Sequence, residues 1–325
     1  MAAPAGNEGA DLNVAFRSMA SDIRFRVTEP SSTATEQASA ARAVVERVAT
    51  SCTRFDADSD LMRANAAGRH WSVVSRECYD AIAAAHDAYV RTDGLFDPRV
   101  LETLRSYGYG QSLPFESAGH TLQTQSVPVR WRPLRQRSWK PAFDRDRLAV
   151  RIGPEPIDLG GIGKGLAVRW AGEQLAGCGA AVLVEAGGDV LALGGGPDGD
   201  GWLIGVEDPL GGTEPVAVLR LTDRAVATSS IRIRSWVAGG SQVHHIIDPR
   251  TRRSAQSDLR AVTVVDPDPA YAEVWSKSLF IVGRPSIRRE ADERGLAALW
   301  VDVDGRVTTS RAMRDYVAWQ VSHVA

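Results

Sequence analysis

The chain has 325 residues, 44% of them hydrophobic, and a formal net charge of -2 at pH 7, which is enough apolar material for one large domain or two intimate ones. So balanced a charge excludes proteins that hold nucleic acid or an anionic membrane surface through the field of the whole molecule. The three cysteines, Cys52, Cys78 and Cys178, lie far apart and show neither a CxxC pair nor a Cys/His metal spacing, so no disulfide framework is expected.

No apolar run reaches the roughly 18 residues of a membrane span. The opening segment, MAAPAGNEGADLN, has neither a basic region nor an apolar core, and a cytoplasmic protein is the expectation. In chain order, alternation over 16–27 predicts a first strand, and the Pro, Ser and Thr of 29–35 break it. Ala40, Ala41, Val44, Val45 and Val48 recur at helical spacing, predicting a helix over about 36–52, followed by a loop over 56–65. A second helix is expected over about 77–91, with Ile82, Ala85 and Tyr89 on its apolar face, ending at the turn Thr92-Asp93-Gly94. Pro98 suits the first position of a short third helix.

Residues 108–153 form a polar stretch rich in Pro and Arg. Within it Arg130, Arg132, Arg135, Arg137 and Lys140 alternate with Trp131 and Trp139. A stacking surface for nucleotides would use such a pattern, but a solvated loop or edge strand is the preferred reading. Beyond residue 156 a strand and loop (157–161) lead into a helix (164–175). Strands follow at 181–184, 202–206, 216–221, 245–247 and 261–265, then a helix over about 271–282. A last hairpin, 296–303 and 307–310, flanks Asp304-Gly305. Strands outnumber what a βαβ order supplies, so the class is α+β with a mostly antiparallel sheet core and flanking helices. A single domain over 1–325 is expected, with a helical or inserted subregion at about 30–150.

The segment Ile157-Asp158-Leu159-Gly160-Gly161-Ile162-Gly163-Lys164-Gly165 joins a strand to a helix. Small residues there let backbone N–H groups approach a ligand, the helix start favours an anion, and Lys164 adds a full charge. The spacing fits neither the dinucleotide fingerprint nor the P-loop, and a plain tight turn reads equally well. Glu185-Ala186-Gly187-Gly188-Asp189 and Ala227-Thr228-Ser229-Ser230 each follow a strand, where clefts are commonly lined. The segment from His244 and His245 through Asp248 to Arg250 concentrates a base, a carboxylate and a cation.

These blocks, with Ser18-Met19-Ala20-Ser21, Asp60-Leu61 through Asn65, Asp93 through Pro98 and Trp202 through Pro209, resemble in order the FAD:protein FMN transferase (ApbE) family, and the resemblance spans nearly the whole chain. It implies an ApbE-like, T-fold-like architecture, FAD bound in a cleft with magnesium on its pyrophosphate, and attack by a Thr or Ser hydroxyl of an acceptor protein with release of AMP. Met19 and Asn65 would then help hold the flavin dinucleotide. Asp158, Gly160, Gly161 and Lys164 would lie near the phosphates, and Gly187, Gly188, Asp189, Thr228, Ser229 and Ser230 along the flavin or ribose. His245 and Asp248 would sit beside the reacting phosphate.

The sequence departs from the family at the implied metal site, where an Asp, a Thr four residues later and a loop carbonyl are usual. Here the carbonyl position is Gly163, the Asp position is Glu273 and the Thr position is Lys277. Glutamate still suits a hard ion, whereas an ammonium has no lone pair and repels one. Two readings follow: Lys277 replaces the metal at the pyrophosphate, or Glu273 and Lys277 form a solvated ion pair. The resemblance implies a transferase. The alternative is a flavin-binding or FAD-cleaving relative that has lost magnesium-dependent transfer.

Overall fold

A computed structural model describes residues 11–111, 113, 115, 123–124 and 138–324. The opening segment and most of the Arg/Trp stretch, Arg130, Trp131, Arg132, Arg135 and Arg137, lie outside the described residues. Trp139, from that stretch, is buried, and its indole N–H donates to the Ile152 carbonyl at 2.9 Å.

Leu12–Ser18 (β1) and Ser21–Thr28 (β2) form a hairpin across Met19 and Ala20, both at φ 53°. One strand was expected here, because a left-handed turn made of Met-Ala carries none of the Asn-Gly chemistry that announces such hairpins. Ala34–Ser51 (α1) buries Ala38, Ala41, Val45 and Val48 along one stripe. Where a loop is expected, Asp60–Ala67 forms α2: the Ser59 hydroxyl accepts from the Met62 N–H at 3.1 Å, and Gly68 follows the last turn at φ 55°. Ser72–Val73 (β3) and Arg76–Arg91 (α3) follow. Leu101–Ser106 (α4) starts beyond Pro98, whose carbonyl instead accepts the Asp158 N–H at 2.7 Å.

The polar stretch contributes Gln123–Thr124 (β4), Ala142–Asp144 (β5) and Ala149–Arg151 (β6). Gly163–Leu175 (α5) leads into the hairpin of Ala181–Ala186 (β7) and Asp189–Leu193 (β8). Next come Trp202–Val206 (β9), Ala217–Leu221 (β10), Arg224–Ser230 (β11), Ser235–Ala238 (β12) and Ser241–His244 (β13). Ile247–Asp248 (β14), Arg253–Ser254 (β15) and Leu259–Asp266 (β16) precede Pro269–Val282 (α6). Ile287–Arg294 (α7), Ala297–Asp302 (β17), Val307–Thr309 (β18) and Val317–Gln320 (β19) close the chain. Helix α7 gives little periodic signal, since only Ile287 and Ala291 on it are buried.

Eight strands form the main sheet in the order β1-β2-β7-β8-β11-β16-β17-β18, antiparallel throughout. The expected α+β class with a mostly antiparallel core is therefore the class observed. One face carries α1, α5 and α6 through Ile23, Phe25, Val45, Ala167, Val184 and Ala227. The other is covered by β19-β10-β9, with Trp202 and Leu219 packed on Val226 and Leu299. A second core, including Leu61, Ile82, Ile157 and Leu159, joins α2 and α3 to α5 and α6 through Leu166, Ala270 and Val274. Among the described residues no helix is long and apolar enough to cross a membrane.

Helices α5 and α6 approach closely at Gly165, where an added Cβ would stand 2.6 Å from both the Ala270 Cα and the Pro269 carbonyl oxygen. Both obstacles are backbone and cannot swing aside. Gly165→Ala is expected to lower stability by about 1–3 kcal/mol, read as an earlier midpoint in urea denaturation. A midpoint equal to wild type would show that the helices are not held this close.

Candidate functional site

The glycine loop is anchored on both sides before it reaches α5. Asn65, on α2, accepts the Ile157 N–H at 2.8 Å and donates to the Ile157 carbonyl at 2.9 Å, so one side-chain amide satisfies both backbone groups of that residue. Arg54 donates to the Asp158 carboxylate at 2.9 Å, and the other Asp158 oxygen accepts the Gly160 N–H at 3.1 Å. Both members of this ion pair are buried, and the Arg54 guanidinium also stacks 4.5 Å from the Phe55 ring and 4.3 Å from the Tyr109 ring.

Helix α5 begins at Gly163 with no side-chain cap from its own segment. Its first-turn Gly165 N–H instead donates to Glu273 Oε2 at 2.8 Å, so a carboxylate from α6 caps the positive end of α5. The remaining Glu273 oxygen accepts from Lys277 Nζ at 3.1 Å. Lys164 pairs in turn with Asp189. The carboxylate side chains are sealed, Glu273 at 1% and Asp189 at 2% exposure, while Lys277 and Lys164 keep 16% and 15% open. Burial works against the Glu273 carboxylate, yet Lys277, Lys164 and the Gly165 N–H together hold its pKa below the ordinary value. Burial raises the Asp189 pKa, against the pull of Lys164.

The turn that presents Asp189 is Gly187-Gly188, at φ 55° and 90°. A Cβ on Gly187 would strike the Ser21 hydroxyl at 2.5 Å, so glycine is needed for contact with the first hairpin as well as for the turn. At that hairpin's tip, the Met19 methyl lies 3.7 Å from where a Cβ on Gly163 would be. The Lys277 stem passes the loop at Gly161, its Cδ 3.4 Å from the equivalent position there.

A strand over 245–247 was expected, but His245 falls in the break between β13 and β14. Its Nδ1 lies 3.4 Å from the Arg234 carbonyl, an acceptor, which puts the proton on Nδ1 and leaves Nε2 as the basic nitrogen. Burial, then the charges of Arg234, Lys277 and His244, hold its pKa well below the usual histidine value. His244 is tied elsewhere, to the Ala255 carbonyl at 2.9 Å. Both Asp248 oxygens are taken by Arg250, at 2.9 Å each, and Arg250 reaches the Ile281 carbonyl of α6 at 3.2 Å. Asp248 thus fixes the turn after His245 against α6.

The hydroxyl run lies within β11 and not after it, so its side chains alternate between the two faces of the sheet. Ser229 faces the helices, 2.7 Å from Ser276, whose hydroxyl donates to the Glu273 carbonyl at 2.9 Å. Thr228 and Ser230 take the opposite face. The Thr228 hydroxyl meets Thr263 at 2.8 Å and Ser230 accepts the Arg232 N–H at 3.2 Å. The structure therefore gathers Met19, Gly161, Gly163, Lys164, Asp189, Glu273 and Lys277 around the start of α5, with the Lys277 charge acting on His245, while Thr228 and Ser230 stand across the sheet.

For a divalent metal the donor set is poor. Glu273 is engaged through both oxygens, the second of them by an ammonium, and Asp189 is paired with Lys164. No group of three His, Cys, Asp or Glu side chains suited to a metal occurs among the described residues. The residues around Glu273 fit an ammonium and do not fit a hard cation, which wants about six oxygen ligands.

The fold is antiparallel α+β, and at the start of α5 a glycine loop is flanked by two lysines, each mostly buried against a carboxylate. Residues 19–300 match the ApbE family, and the chain belongs to that family. It is 28% identical over 249 residues to an FAD:protein FMN transferase of Klebsiella pneumoniae, covering 75% of this chain and 72% of that protein. An FAD:protein FMN transferase of Treponema pallidum is 28% identical over 273 residues, 80% of this chain and 75% of the relative. The crystal structure of the ApbE protein of Thermotoga maritima superposes with a TM-score of 0.79 at 26% identity, covering 94% of this chain and 99% of that one. The fold is shared also with the flavin transferase ApbE of Vibrio cholerae, at a TM-score of 0.76 and 19% identity, over 94% and 99% of the two chains.

Arg54 and Ser276 belong to this neighbourhood and were not singled out from the sequence. Arg54 stands in a polar segment beside Phe55, and only its buried pairing with Asp158 reveals it. Replacing Arg54 by Ala strands that carboxylate beside the loop, and a loss of about 3–5 kcal/mol is expected, measured by urea denaturation. A loss under about 1 kcal/mol, the value of an exposed pair, would contradict the buried pairing.

Proposed function

We propose that this chain transfers FMN from FAD to the hydroxyl of a Thr or Ser in an acceptor protein, with release of AMP. The observation that carries the reading is the ridge at the start of α5, where Lys164, Lys277 and the glycine loop stand beside a neutral His245. The FAD:protein FMN transferases of Klebsiella and Treponema support it, since the chain aligns with most of their length. In this reading the pyrophosphate of FAD lies across the loop. The acceptor oxygen bonds to the FMN phosphorus, the bond from that phosphorus to the bridging oxygen breaks, and AMP leaves carrying that oxygen. Phosphoryl transfer of this kind draws on alignment and charge neutralisation more than on covalent help. The hydroxyl proton goes to His245 Nε2, the nitrogen that the Arg234 carbonyl leaves free. Asp248 serves as a positioning residue for this histidine. The chain works as one domain, its second core sharing Leu166, Ala270 and Val274 with α5 and α6.

Incubation with FAD and a threonine-bearing flavoprotein acceptor should give a fluorescent acceptor band in a denaturing gel and an equal amount of AMP. His245→Gln is expected to slow transfer by about 10²–10⁴-fold. Because the folded-state pKa of His245 is depressed, the base stays neutral through the ordinary histidine range. The rate should therefore hold as pH falls through that range and drop only at lower pH, an order that a pH–rate profile reads directly. A second reading, a flavin holder without transfer, is favoured by Lys277. Tight FAD binding with no AMP under any condition would select it.

A further inference from the structure

We propose that Lys277 is a built-in substitute for a divalent cation, so that this chain binds the FAD pyrophosphate and cleaves it without added metal. The inference rests on the FMN-transfer reading and specifies what neutralises the phosphates in it.

Lys277 stands one helical turn beyond Glu273 on α6. Its stem lies along Gly161, with Cδ and Cε 3.4 and 3.7 Å from the position a Cβ would take, and this contact directs the ammonium to Glu273 Oε1 at 3.1 Å. Glu273 cannot turn away, because its other oxygen holds the Gly165 N–H at 2.8 Å. Lys164 and Asp189 form a second such pair, near enough that Lys164 also acts on Glu273 and Lys277 on Asp189. Two carboxylates balance two ammonium groups, but their depths differ: the carboxylate side chains are 1% and 2% exposed, the lysines 16% and 15%. A pyrophosphate arriving on the open side meets the lysine N–H donors before it meets either carboxylate.

A divalent ion could bind Glu273 only by coming within about 2.1 Å of an oxygen, against an ammonium that repels it and offers no lone pair. The place is taken by a charge that belongs to the chain. Lys277 brings one positive charge where the ion brings two, yet it needs no dehydration and is present at every metal concentration.

The test uses the whole chain stripped with EDTA, and it reads Mn²⁺ binding to the free protein by electron paramagnetic resonance alongside FAD affinity and AMP release. Wild type is expected to bind no Mn²⁺ through Glu273, and to bind and cleave FAD equally with EDTA and with Mg²⁺. Lys277→Met, matched in length and uncharged, should weaken FAD binding by about 30-fold or more. The double substitution Lys277→Thr with Glu273→Asp should gain Mn²⁺ binding and make AMP release depend on Mg²⁺. Wild-type Mn²⁺ binding that disappears in Glu273→Gln, or wild-type cleavage abolished by EDTA and restored by Mg²⁺, overturns the proposal. A protein that ignores FAD in every buffer refutes the FMN-transfer reading instead, and the Mn²⁺ measurement, made without FAD, still decides for or against the lysine.

Discussion

A carboxylate buried where two helices meet stays ionised only if both its oxygens find strong donors. Glu273 finds them in the Gly165 N–H of α5 and in Lys277 of its own helix, and much of the site follows from this arrangement. For Oε2 to reach an N–H in the first turn of α5, the helices must nearly touch, and the absence of a side chain at Gly165 allows it. Because α5 carries no cap of its own, the carboxylate that α6 lends does the work of a capping residue. Lys277 is then fixed by the same carboxylate, and its stem closes over the loop.

The main sheet supplies the other half of the ridge. Its β7–β8 turn projects Asp189 toward Lys164, and its β11 strand sends Ser229 into a hydroxyl chain that ends on the Glu273 carbonyl. Since the Ser276 proton is committed to that carbonyl, Ser229 is the donor to Ser276. The helix bearing the charge cluster is thereby tied to the sheet by hydrogen bonds as well as by the apolar contacts of Ala227 and Ala272.

Much of this was legible in the sequence where a local pattern and its tertiary setting agree. Helices α1 and α3 follow from the spacing of Val44, Val45, Val48, Ile82 and Ala85, and the glycine loop before α5 follows from its composition. The Glu273–Lys277 pair is legible as well, because residues four apart share a helix face. What sequence could not give was set by partners far along the chain. The Met19-Ala20 turn has no turn chemistry of its own, and the Ser21 side of that hairpin is shaped by contact with Gly187. Asn65 reads as a loop residue until α2 carries it to Ile157. Thr228 and Ser229 read as neighbours in one cluster, yet strand geometry sends them to opposite faces.

Asn65 has a bearing on timing. By meeting both backbone groups of Ile157, with Arg54 holding Asp158 one residue later, it fixes the approach to the loop while the chain folds and not when a ligand arrives. The entropy of ordering that segment is spent on folding, so under the proposed reading an arriving phosphate group would not have to order the approach to the loop.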